Sequence, residues 1–122
     1  MGQVIYLRDH RRTKRTSLST PATARVGDVM IEGEVRDISG LGLFFQPATA
    51  YVDGRFVQGP DIVECLEEDD TVEVTIMTPA GMPACILSAT IRWMGESSVH
   101  GVVGFGVEFL QASVEEPCRM VA

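Results

Sequence analysis

The sequence predicts an all-β domain, a small antiparallel barrel or sandwich of about six strands. Three observations carry this. Runs alternating between apolar and polar residues recur along the chain. Gly, Pro and Asp clusters punctuate them at hairpin spacing. Almost no stretch has helical period.

Residues 16–26, small and β-branched around Pro21, read as a weak or edge strand. Val29 to Ile38 alternates and predicts a strand. Leu41 to Gln46 is a compact apolar strand, joined to it by a hairpin connection at Ser39-Gly40. Pro47 to Asp70 reads as a long irregular connection with turn signals at Asp53-Gly54 and Gly59-Pro60. It ends in an acidic patch, Glu67-Glu68-Asp69-Asp70, suited to a basic partner or to plain solvation. Thr71 to Ile76, Ala84 to Met94 and Gly104 to Leu110 complete the strands. Phe44, Trp93, Phe105 and Phe109 are expected in the core. Ser113-Val114-Glu115-Glu116 has the form of a capping box for a short helix, with Pro117 inside its first turns. The expected organisation is a flexible basic arm over 1–15, a β domain over 16–112, and a tail or short helix over 113–122.

A chain of 122 residues, 45% apolar and 22% charged, is long enough for one domain with a real core. Its net charge of −7 is unevenly spread. Residues 1–15 carry five Lys/Arg and one acid, whereas residues 16–122 carry five Lys/Arg and 16 acids. An acidic body argues against duplex nucleic acid, whose binding relies on neutralising many phosphates. A local basic arm suits a small phosphorylated ligand. No apolar run reaches the length of a membrane span, and no signal peptide is read at the start, so membrane insertion is not expected. The three cysteines, Cys65, Cys85 and Cys118, lack CxxC spacing. They predict a cytoplasmic protein with reduced thiols, Cys85 serving as a buried small hydrophobe.

Two segments could carry chemistry. The first is the arm Arg8-Asp9-His10-Arg11-Arg12-Thr13-Lys14-Arg15. A guanidinium binds phosphate bidentately, bonds guanine O6 and N7, and stacks on a purine face. Alone, such a run is most simply a solvated tail. The second is Asp37-x-Ser39-x-x-Gly42. An ionised Asp accepts hydrogen bonds from guanine N1–H and N2–H, and a Ser hydroxyl adds a donor or acceptor beside it. Residues two apart on an extended segment share a face. Gly42 lets the backbone turn or approach closely. Alone, this is most simply a turn that satisfies its own backbone. His10 and His100 have no ligand spacing, no Cys/His cluster suggests a metal, and no P-loop or GxSxG is present.

Taken together, RRxxR (Arg11, Arg12, Arg15), a strand, and DxSxxG (Asp37, Ser39, Gly42) opening the next strand resemble the PilZ domain family. Ala89-Thr90-Ile91-Arg92-Trp93 is similar to that family's penultimate core strand, and Gly104 to Phe109 to its closing strand. The resemblance spans roughly residues 8 to 112. It implies a six-stranded antiparallel β-barrel that binds the bacterial second messenger cyclic di-GMP. Arg11 and Arg15 are then expected to hold phosphate and stack on or bond guanine, with Arg12 in support. Asp37 and Ser39 are expected to read a guanine edge, and Gly42 to shape the turn. Arg8 and Arg12 share the RxxxR spacing; Arg11 and Arg15 are preferred because the family's second arginine leads directly into the first strand. The arm is expected to fold over the barrel when nucleotide binds.

The expected function is a cyclic di-GMP receptor and adaptor, without catalysis or cofactor, that signals to a partner protein. The alternative is a scaffold of the same fold that does not bind the nucleotide. A barrel binding single-stranded nucleic acid through the arm is a third reading, opposed by the acidic body.

Overall fold

The computed structural model describes the backbone of residues 3–6, 15–110 and 117–120, and side chains within 16–110. Arg11 and Arg12 lie outside the described residues, as do the side chain of Arg15 and the capping-box segment 113–116.

In chain order the elements are β1 (Gln3–Tyr6), β2 (Arg15–Val26), β3 (Val29–Ser39), β4 (Gly42–Val52), β5 (Arg55–Gln58), α1 (Pro60–Val63), β6 (Thr71–Met77), β7 (Pro83–Glu96), β8 (Val103–Phe109) and β9 (Pro117–Met120). Six strands follow one another as β3-β2-β6-β7-β8-β4, and β4 pairs back onto β3. Every pairing in this ring is antiparallel, so the sheet closes on itself as a small barrel. Closure gives every strand of the ring a neighbour on both flanks over at least part of its length. Separately, β1 and β9 pair with each other, so Pro117–Met120 is extended.

Inward residues come from the predicted alternation. Val72, Val74 and Ile76 of β6 point in, as do Cys85, Leu87, Ala89 and Ile91 of β7. They meet Ile31, Val35 and Ile38 of β3, Leu43 and Phe45 of β4, and Phe105, Val107 and Phe109 of β8. Phe45 and Phe105 stack at the centre, with ring centroids 5.1 Å apart.

The structure corrects several expectations. Residues 16–26 form an edge only in part: Ala22 to Arg25 are paired with β3 on one side and β6 on the other, whereas the stretch up to Pro21 is paired with β3 alone. Pro21 is tolerated because the β6 pairing begins only at Ala22: at Pro21 the strand has a single neighbour, so the missing N–H breaks no second ladder. The strand expected over Leu41 to Gln46 runs on through Pro47 to Val52. Residues 47–70 are therefore not an irregular connection. Val52 turns through Asp53-Gly54, both at positive φ, into β5, and the short α1 follows. Ile62 of α1 and Leu66 beyond it join the barrel core. The Asp69-Asp70 end is held by backbone bonds to Ile91 in both directions. On the outer face of β3–β4–β5, Met30, Tyr51 and Phe56 are exposed, the last two in edge-to-face contact.

Cys85 is buried as expected, but it is disulfide-bonded, and Cys65 is a free, exposed thiol. The expectation that all three thiols are reduced does not hold. Among the described residues no helix is long and apolar enough to cross a membrane.

Where β4 leaves its turn it presses closely on β8. A Cβ on Gly42 would lie 1.8 Å from the carbonyl oxygen of Val107. Farther along β3, a Cβ on Gly33 would lie 2.1 Å from the carbonyl oxygen of Gln46. Neither neighbour is a flexible side chain that could swing away. We expect Gly42→Ala to lower unfolding free energy by about 1–3 kcal/mol through forced displacement of β8, read as a lower thermal midpoint. We expect Ile62→Ala to cost about 2–5 kcal/mol in denaturant titration, because it empties a fully buried site. A truly loose connection would tolerate that change within about 0.5 kcal/mol.

Candidate functional site

Among the register shifts at one end of the barrel, two β-bulges flank an opening. In β3 the register against β4 slips between Val35 and Asp37, so Arg36 is the extra residue. Its guanidinium turns outward to Gln46 (2.7 Å) and Glu34 (3.3 Å). In β7 the register against β8 slips between Ile91 and Trp93, so Arg92 is the extra residue. Arg92 bonds Glu108 (3.1 Å) and Asp69 (2.5 Å) on the exposed surface. The hydrogen bond to Glu108, and then the two nearby carboxylate charges, push the Arg92 pKa up. A bulge re-aims the side chains that follow it. Here the two bulges bring Asp37 and Trp93 to the same opening.

That displacement overturns the expectation for Trp93. Simple alternation from Ile91 would place it inside; the extra residue puts Arg92 and Trp93 both outward, and Trp93 is 45% exposed. It stands opposite Gly106, where a Cβ would already be in contact with the indole at 3.8 Å. Phe44, Phe105 and Phe109 are buried as expected.

The opening is a pocket of about 460 Å³, within the size range of small-molecule sites. Asp37 and Gly42 line it, with Phe44 and Trp93 as apolar wall and Arg92 and Glu108 at the rim. The β7–β8 loop closes one side with Ser97, Val99 and His100. Among the described residues no group of three or more His, Cys, Asp or Glu side chains is placed to hold a metal.

Asp37 is 6% exposed, and its Oδ2 lies 2.6 Å from Nε2 of His100. The His100 ring stacks on Phe44, centroids 5.6 Å apart at 24°, and Phe44 in turn meets Trp93 at 5.8 Å. The loop that delivers His100 is folded on itself. Ser97 N–H donates to Val102, Gly101 N–H donates to Ser97, and the Ser97 hydroxyl accepts from His100 N–H. Gly101 takes a positive φ of 68° to complete the turn. His100 has no metal-ligand spacing in the sequence, and nothing local marks it. Its partner is 63 residues away and meets it only when the barrel closes. Trp93 was equally hidden, because a bulge depends on pairing.

Ser39 is 1% exposed and does not line the pocket. Its hydroxyl donates to the Gly42 carbonyl (3.4 Å) and accepts from Leu41 N–H (3.3 Å). It therefore holds the turn in which DxSxxG sits. Gly42 lets that turn lie against β8. The backbone of Arg15 is directly opposite Ser39 in the β2–β3 ladder, and Ser17 is opposite Asp37. The last arginine of RRxxR thus enters the barrel beside the DxSxxG turn.

No curated protein matches the chain. Residues 9–121, nearly the whole chain, match the family model of the PilZ domain. A closed antiparallel ring, with the arm's last arginine set against the DxSxxG turn, is the architecture on which that match falls, and the chain belongs to the PilZ domain family.

Proposed function

We propose that the protein is a cyclic di-GMP receptor that binds the nucleotide at the barrel mouth and passes the signal to a partner protein. The observation that carries this reading is the ladder register that sets Arg15 opposite Ser39, two residues from Asp37. It joins the cationic arm and the acidic end of one pocket, which separately would be a tail and a turn. The general role, a cyclic di-GMP-binding domain and not an enzyme, is that of the PilZ family.

In this reading Arg11, Arg12 and Arg15 take the phosphates and the Hoogsteen edge of guanine. Asp37, held at the pocket wall, accepts from N1–H and N2–H. Trp93 offers an exposed indole face to a purine; base–aromatic stacking contributes about 1–3 kcal/mol per base. Ser39 and Gly42 act through the turn they hold. Nucleotide binding neutralises the mutual repulsion of Arg8, Arg11, Arg12, Lys14 and Arg15 and draws the arm onto the barrel. The changed surface is what the partner reads.

Calorimetric titration tests this directly. We expect heat on adding cyclic di-GMP, and a loss of at least about tenfold in affinity for Arg15→Ala and for Asp37→Ala, the cost of a charge-assisted hydrogen bond. Trp93 is the sole tryptophan, so its emission should change on binding and report the site without a label. No heat with the natural sequence would favour the scaffold reading. Equal binding by all three proteins would move the site elsewhere.

A further inference from the structure

We propose that His100 is a specificity-determining positioning residue, which fixes the plane of the Asp37 carboxylate and thereby its selectivity for guanine. The inference rests on the proposal that Asp37 reads a guanine edge. Its own support is geometric. The torsion that orients an Asp carboxylate is broad and nearly two-fold, so the backbone of β3 does not set the carboxylate plane. To accept from two adjacent N–H groups of one purine, both oxygens must lie close to the purine plane.

His100 supplies a constraint on that plane. With Asp37 ionised, the 2.6 Å contact requires a hydrogen on Nε2, because a carboxylate only accepts. The imidazole is in turn fixed on two sides, by its face against Phe44 and by the Ser97–Val102 turn that holds its backbone. The side chains of His100 and Asp37 are 8% and 9% exposed, so water competes little for the bond. The contact uses one of about four acceptor sites on the carboxylate. Among the described residues, Ser17, Phe44, Trp93 and Ser97 line the pocket beside the pair, with Arg92 and Glu108 at its rim.

The test compares cyclic di-GMP with the matching cyclic dinucleotide of hypoxanthine, which lacks only the 2-amino group. Calorimetry would be run on the full chain with His100, H100A, H100F and H100Q. We expect the natural sequence to prefer guanine by about tenfold or more. H100A, and H100F with its ring still on Phe44, should bring the two affinities within about threefold. H100Q keeps a donor and should restore part of the preference.

A structural role alone would weaken both ligands equally and leave the ratio unchanged, and that result would overturn the proposal. So would a natural sequence that binds both ligands equally well. If H100A does not fold, as judged by its thermal transition, H100F carries the same comparison. Binding of neither nucleotide by the natural sequence would overturn the receptor reading and this inference together. Retained preference in H100A and H100F would overturn this inference alone.

Discussion

Strand β4 must serve two neighbours at once. It is hydrogen-bonded to β3 on one flank and to β8 on the other, and this double pairing turns an open sheet into a closed one. The tightest point is Gly42 against the Val107 carbonyl, where no side chain can fit. Closure fixes the distance between β3 and the end of β7–β8, and thus the distance between Asp37 and His100. A pocket whose walls come from residues so far apart in sequence exists only because one backbone approach is close.

The bulges work within that frame. Each adds one residue to a strand, and each extra residue is an arginine tied down by neighbouring polar groups on the surface. Exposed ion pairs of this kind contribute little to stability. Their consequence is directional: with Arg36 and Arg92 turned outward, Asp37 and Trp93 take up positions that regular alternation would not give them. The site is thus built by local irregularity in a regular sheet, and the regular part supplies the core.

This division explains what the sequence made legible. The strands were legible because inward positions alternate cleanly, as in Val72, Val74, Ile76 and Cys85, Leu87, Ala89. Asp37, Ser39 and Gly42 were legible as a motif because all three lie within one turn. Trp93 falls on the inner face only if alternation is carried through the bulge, and a bulge is a property of two paired strands. Nothing in the sequence marks His100, because its partner is brought by closure. The 47–70 segment reads as irregular because Ile62, Val63, Cys65 and Leu66 form one short apolar stretch between turn residues and acids, too brief to declare a helix. The arm residues Arg11 and Arg12 were legible as a motif, and they lie outside the described residues.

The exposed trio Met30, Tyr51 and Phe56 sits on the same two strands that reach the pocket, and on β5, at their opposite end. The surrounding body carries a large excess of acids, so copies of the molecule repel one another in dilute salt. That repulsion reaches about 10 Å at 0.1 M ionic strength and only about 3 Å at 1 M. Concentrated salt therefore removes the barrier that keeps three bare apolar side chains of one copy from those of the next. Colloidal stability of this protein rests on its charge, and the ionic strength of a buffer sets how far that charge protects it.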